Sequence, residues 1–174
     1  NSKGQLCLGD NINRSVPTHI ATTLGYKKVT AGSYFCLSID STDQIVSWGA
    51  NKKGQLGLGV SGTSTSFLQP TGYTGYVNIE AGASHSLAIK NDGTLWAWGS
   101  NGYGQLGTGN NSDATTPIQV GVESNWTDIA AGLQHSLALK ASGNAYTWGK
   151  NYNGQLGKGN TNNVNSVTPS GPGI

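Results

Sequence analysis

The residues best suited to chemistry are two histidine–serine pairs, His85-Ser86 and His135-Ser136. A histidine that takes the proton of a serine hydroxyl is the core of many nucleophilic sites. Neighbouring residues on a β-strand point to opposite faces, however, so neither pair meets within its own strand. We therefore expect packed, hydrogen-bonded histidines, and we predict no catalytic residues and no enzymatic activity.

Patterns that bind metals or cofactors are missing from the sequence. The three histidines and two cysteines show no close ligand spacing. No phosphate-binding loop of the Gly-x-x-x-x-Gly-Lys-Ser/Thr type occurs. Cys7 and Cys36 are too few for a disulfide framework, and two small free thiols are favoured over a functional pair. We predict no metal and no cofactor.

The composition also limits the partners. The 174 residues include 27 glycines, only 10% are charged, and the formal net charge is +2. Such a chain lacks the basic stripe that a nucleic-acid surface normally shows, so we predict no nucleic-acid partner. No stretch approaches the roughly 20 consecutive apolar residues of a membrane helix, so we predict no membrane insertion.

An internal repeat is the strongest signal, and it supplies the elements that position these residues. Gly-Gln-Leu begins at residues 4, 54, 104 and 154, and Trp-Gly begins at residues 48, 98 and 148. The period is therefore 50 residues. The copies span 1–50, 51–100, 101–150 and, as a partial copy, 151–174.

Each copy has the pattern of four short strands. Residues 85–90 alternate large and small side chains, and a glycine-containing turn and a second strand ending in Trp-Gly follow. Another strand precedes this hairpin and runs into Ala-Gly, for example at 77–81. A fourth strand, beginning at proline because an edge strand tolerates it, is predicted at 17–20, 70–73 and 117–120. Four strands in 50 residues indicate an all-β fold, a β-propeller of four-stranded blades with about three and a half blades.

The combination Ala-Gly-x-x-His-Ser-Leu-Ala-Ile/Leu, Trp-Gly and Asn-x-x-Gly-Gln-Leu-Gly-x-Gly closely resembles the regulator-of-chromosome-condensation repeat family. The resemblance implies a seven-bladed propeller, which needs about twice this chain, so further sequence or another chain is expected to complete the ring. The best-known family activity is guanine-nucleotide exchange on a small nuclear GTPase, coupled to chromatin binding. That activity depends on features outside the blade consensus, which is all that matches here. Other members are protein-binding platforms.

Positions that differ between copies are the candidates for specificity. They include the loop-tip residues Lys53, Tyr103 and Tyr152 and the residue Tyr34 in the turn after Ala-Gly. We expect a non-enzymatic scaffold or binding module for protein or glycan partners, in an extracellular, cell-surface or virion assembly. One alternative is a structural subunit that joins further copies of itself through open blade ends into a ring or filament. The weaker alternative is a nucleotide-exchange or chromatin-binding factor.

Overall fold

The computed structural model describes residues 1–20, 25–69 and 73–169 of the chain. Across those residues the regular structure is β-strand, and no helix there has the length and apolarity to cross a membrane. The strands are β1 (Tyr26–Ala31), β2 (Phe35–Asp40), β3 (Ile45–Asn51), β4 (Gly62–Leu68), β5 (Tyr76–Ala81), β6 (His85–Lys90), β7 (Leu95–Gly99), β8 (Ala114–Gln119), β9 (Trp126–Ala131), β10 (His135–Lys140), β11 (Ala145–Gly149) and β12 (Val164–Pro169).

Three antiparallel four-stranded sheets, each with its strands in chain order, form three blades. Blade 1 contains β1 to β4, blade 2 contains β5 to β8, and blade 3 contains β9 to β12. The blades are offset from the sequence copies, because the strand that begins a blade lies in the middle of a copy. The predicted propeller architecture is confirmed as three whole blades, with residues 1–20 packed on blade 1.

The strand predictions succeed at the hairpin and fail at the edge. The predicted strand 85–90 coincides with β6. The fourth strand begins earlier than predicted, since β4 ends at Leu68 and β8 carries Pro117 in its interior. Residues 17–20 are not a strand, and 70–72 lie outside the described residues. β8 is an edge strand, so Pro117 need not begin it.

Each blade has one face of large and one face of small side chains, as the alternation in β6 predicts. The large face of one blade packs against the next blade, so β2 contacts β5 and β6 contacts β9. Leu37 and Leu87 are completely buried at these two junctions. Leu139 of blade 3 is 37% exposed, whereas its equivalent Ile89 in blade 2 is 2% exposed. The large face of blade 3 is therefore uncovered by the described residues.

Candidate binding surface

A nine-residue loop recurs four times along the chain, and its constant residues fix its shape. The last three copies join the third and fourth strands of a blade, and the first copy precedes β1. We call the loops at 1–9, 51–59, 101–109 and 151–159 the clamp loops. In the second of them, Asn51 Oδ1 accepts a hydrogen bond from the Leu56 backbone N–H at 2.9 Å. Gln55 Oε1 accepts one from the Lys53 N–H at 2.9 Å. The invariant Asn and Gln thus hold the loop internally and leave its tip residues outside.

The second and third clamp loops also fasten their own blades to the next one, and the first clamp loop contacts blade 1 in the same way. The carbonyl oxygen of Gln55 accepts two hydrogen bonds from blade 2, from Trp98 Nε1 at 2.9 Å and from Ser86 Oγ at 2.8 Å. Both donors are completely buried. The repeated tryptophan is therefore an anchor for the neighbouring loop. The same pair of bonds recurs one period later, from Trp148 Nε1 at 2.9 Å and Ser136 Oγ at 2.7 Å to the carbonyl of Gln105.

This anchoring brings two tyrosines from different clamp loops together. The rings of Tyr103 and Tyr152 meet edge to face, with centroids 6.0 Å apart. Lys150 Nζ lies 4.8 Å from the centre of the Tyr103 ring and 5.5 Å from that of Tyr152. The ammonium is held there by a 2.9 Å hydrogen bond to Gln134 Oε1. We call these four residues the tyrosine cluster.

The other two predicted contact residues lie outside the tyrosine cluster. Tyr34, in the turn between β1 and β2, is 55% exposed. Lys53 Nζ forms a 2.9 Å ion pair with Asp113, which precedes β8, so its charge is already partnered across the junction of blades 1 and 2. Sequence reasoning therefore identified two residues that meet, Tyr103 and Tyr152, and two that do not join them.

Lys150 and its contact with Gln134 were not predicted as part of a site. Position 134 belongs to a variable turn, but Lys150 stands in a column occupied by Ala50 and Ser100 in the other copies. That column varies as much as the loop tips do. Variation there was a usable signal, and only the three-dimensional arrangement shows that it converges with the tyrosines.

The tyrosine cluster shares one end of the propeller with the turns that follow Ala-Gly. These turns surround a depression of about 330 Å³ lined by residues 31–33, 81–83 and 131–133. Leu133 in this rim is 67% exposed. Variable turns, variable loop tips and an exposed apolar residue therefore occur together at this end, which we call the loop end.

The histidine–serine chemistry has a different arrangement from the one that the sequence suggests. His85 does not contact its neighbour Ser86, but its Nε2 lies 3.0 Å from Ser136 Oγ of the next blade. Ser136 Oγ donates its single proton to the Gln105 carbonyl, so His85 Nε2 must be the donor in this pair. A histidine that donates to the serine cannot act as its general base. Both side chains are also completely buried.

Burial sets the charge of this histidine. Burial, followed by the proximity of His135, lowers the pKa of His85 to about 3. Its Nδ1 has no hydrogen-bond partner among the described residues. His85 is therefore a neutral packing residue at neutral pH, and the first copy places Phe35 at the equivalent position. In the described part of the chain, no group of three or more His, Cys, Asp or Glu side chains is arranged to hold a metal ion.

Comparison with known proteins agrees with the architecture. Two family models, both described as the regulator of chromosome condensation (RCC1) repeat, match the chain. The chain belongs to the RCC1 repeat family. One model matches residues 26–55, 76–105 and 126–155, and the other matches residues 92–139 and 142–171.

Solved structures share the fold of this RCC1-repeat chain. Human WBSCR16 superposes with a TM-score of 0.88 at 22% identity, over 98% of this chain and 46% of that protein. Prp20p from Saccharomyces cerevisiae, whose structure was described together with its binding to Gsp1p and histones, superposes with a TM-score of 0.71 at 25% identity. That match covers 84% of this chain and 38% of Prp20p. The chain thus spans less than half the length of these relatives.

Proposed function

We propose that this chain is a non-enzymatic protein-binding propeller and that the tyrosine cluster is its principal contact. The observation that carries the proposal is that Tyr103, Tyr152 and Lys150 meet. The two ring centres are 6.0 Å apart, and the ammonium lies 4.8 and 5.5 Å from them. Tyrosine on a rigid scaffold supplies a large amphipathic contact area at low entropic cost. RCC1-repeat propellers in general are binding modules, and the relative Prp20p has protein partners in Gsp1p and histones.

The cluster favours a protein partner with an acidic group beside an apolar one. Lys150 supplies a positive charge, the exposed Tyr152 ring supplies an apolar edge, and Leu133 is exposed nearby in the same loop end. The constant clamp-loop bonds hold these side chains on a rigid base, which reduces the entropy lost on binding. A glycan is the competing ligand, since exposed tyrosine rings also contact sugars.

A peptide library displayed on phage, selected against the immobilised chain, tests this proposal. We expect enriched peptides to carry acidic and apolar residues, and Tyr103→Ala with Tyr152→Ala to reduce their binding at least tenfold. Lys53→Ala is the matched control, because it alters the equivalent tip of a neighbouring clamp loop, and it should bind as the wild type does. Equal binding by the wild type, the double tyrosine variant and Lys53→Ala contradicts the assignment. Binding on a glycan array but not to any peptide identifies a lectin instead.

The exchange-factor alternative has a direct assay. We propose that the chain does not release nucleotide from small GTPases, because no repeat carries more than the blade consensus. The chain is mixed with a small nuclear GTPase that holds fluorescent GDP. Faster nucleotide release in its presence, compared with buffer, overturns this part of the proposal.

Self-association is a second candidate, and the uncovered end of blade 3 favours it. A Cβ added to Gly54 or Gly104 would lie within 2.5 Å of an atom in the next blade, whereas one added to Gly154 meets nothing described within 4 Å. Leu139 on the same side is 37% exposed. Among the described residues, no neighbouring blade covers the last clamp loop and the large face of blade 3, and another copy could supply one.

Light scattering coupled to gel filtration separates the two candidates. A binding module keeps the mass of one 18.0 kDa chain over a wide concentration range. A self-assembling subunit gains mass with concentration, and Leu139→Lys should abolish that gain.

We also propose an extracellular, cell-surface or virion location from the charge-poor composition, which antibody detection in fractions of the source cells or particles would test.

A further inference from the structure

The first clamp loop differs from its three equivalents at one of its glycines. Cys7 stands where the other loops have Gly57, Gly107 and Gly157. Its backbone has a φ of +52°, in the left-handed region that the equivalent glycines also occupy. A side chain in this conformation costs free energy that glycine avoids. The cysteine thus occupies a position where glycine is better suited to the backbone.

The residue that receives this loop on blade 1 is also changed. Cys36 stands where blades 2 and 3 have Ser86 and Ser136. Its Sγ lies 3.5 Å from the carbonyl oxygen of Gln5, whereas the two serine hydroxyls make bonds of 2.8 and 2.7 Å. A thiol is a weaker donor than a hydroxyl. Each cysteine by itself therefore weakens this junction, yet both occur in the same one.

The structure places the two cysteines around one indole. Cys36 is the cross-strand partner of Trp48, and Trp48 Nε1 donates to the same Gln5 carbonyl at 2.9 Å. Cys7, Trp48 and Val46 form one buried apolar cluster, against which Cys36 packs. Both sulfur-bearing residues therefore border the same small volume.

The equivalent loop shows where the Cys7 side chain begins. A Cβ added to Gly57 would lie 3.1 Å from Trp98 Nε1. By the repeat symmetry, the Cβ of Cys7 has the corresponding position beside Trp48. The Sγ of Cys36 approaches the same place from the blade, as the Oγ of Ser86 does in the junction between blades 1 and 2.

We propose that Cys7 and Cys36 form an intramolecular disulfide under oxidising conditions, fixing the first clamp loop to blade 1. Both are free thiols in the structure described here. Each thiol loses one proton as the S–S bond forms, and the two electrons reduce a small-molecule disulfide such as oxidised glutathione to two thiols. The bond replaces the weak Cys36–Gln5 contact, while Trp48 keeps its hydrogen bond to Gln5.

The surroundings predict that the folded protein oxidises slowly. Burial is the main cause that raises the pKa of Cys7 to about 11, and burial also raises that of Cys36 to about 11. The thiolate is the attacking species, so little of it is present at neutral pH. We therefore expect the disulfide to form faster during refolding, or at alkaline pH, than in the native protein at pH 7.

The test uses the full chain, refolded from denaturant in a glutathione redox buffer at pH 8.5. We expect the mass to fall by two hydrogen atoms and the non-reduced peptide map to link Cys7 with Cys36. The midpoint of thermal unfolding should rise by roughly 5–10 °C relative to the reduced chain, because the unfolded chain is constrained.

Two control variants are supplied by the chain itself. Cys7→Gly and Cys36→Ser restore the residues of the other copies, so both should fold, and neither midpoint should respond to oxidised glutathione. The proposal is wrong if the wild-type chain keeps its reduced mass after the redox treatment or if disulfides form only between chains. It is also wrong if oxidation lowers the midpoint of thermal unfolding.

Discussion

The contact between His85 and Ser136 yields a quantitative prediction about how blades 2 and 3 hold together. Ser136→Ala removes the 2.7 Å bond to the Gln105 carbonyl and the 3.0 Å bond from His85 Nε2. His85 is completely buried and its Nδ1 is already unpartnered among the described residues, so the variant leaves both ring nitrogens unpaired. A lost bond costs about 1 kcal/mol and a stranded buried donor about 1–3 kcal/mol. We expect Ser136→Ala to lower the free energy of unfolding by about 2–4 kcal/mol.

The first junction supplies the matched background for this experiment. There Phe35 packs at the position of His85, and Ser86 keeps its bond to Gln55. His85→Phe reproduces that arrangement at the second junction and should change the free energy of unfolding by less than about 1.5 kcal/mol. In the phenylalanine background, Ser136→Ala should cost only about 1 kcal/mol, since no imidazole donor remains to be stranded.

Urea unfolding followed by tryptophan fluorescence measures all four corners of this double-mutant cycle. The expected coupling between positions 85 and 136 is about 1–3 kcal/mol. If Ser136→Ala costs the same in both backgrounds, the histidine does not depend on the serine. The assignment of Nε2 as donor and the structural role of His85 then both fail.

Three further outcomes are expected. The pKa of His85 is lowered to about 3 from the ordinary 6.5. Below pH 6.5 this histidine therefore binds a proton in the unfolded chain but stays neutral in the folded chain. The free energy of unfolding should then fall by about 1.4 kcal/mol for each pH unit of acidification between pH 6.5 and about pH 3, from this site alone. Acid titration of His85→Phe should lack that part of the slope. Gly143→Ala, at a φ of +84° with open space around it, should cost about 1 kcal/mol, whereas Gly93→Ala should cost clearly more in urea unfolding, because its Cβ would lie 2.3 Å from the Ser124 carbonyl oxygen. Lys53→Ala removes only an exposed ion pair and should change the free energy of unfolding by less than about 1 kcal/mol in the same assay.

The fold could be predicted from the sequence because the same local pattern occurs at a fixed spacing. Alternation of large and small residues identifies β6, and the glycine-containing turn fixes its pairing with β7. The edge strands were misplaced because they pair on one side only, so proline marks them poorly. Local patterns thus define strands whose two faces are both packed, and they define edges less well.

The contacts between blades could not be predicted, because each joins residues from different copies. Adjacency in sequence suggested a relation between His85 and Ser86, but the partner of His85 is Ser136. Likewise, Tyr103 and Tyr152 were identified one by one from variation between copies. They meet at a shared lysine because of the blade on which each clamp loop packs. The sequence of a single copy does not show that packing.

The clamp loops have a consequence for how such chains lengthen. The Gln55 carbonyl reaches donors that are 31 and 43 residues further along the chain, and the Gln105 carbonyl does the same with the same two separations. Each junction joins unlike surfaces head to tail, so every blade carries one half of the next interface. An in-frame duplication of one period therefore adds a blade whose two interfaces already fit, wherever in the period the duplication begins. Deletion of one period leaves matching surfaces in the same way, so the number of blades can change without a new interface having to evolve.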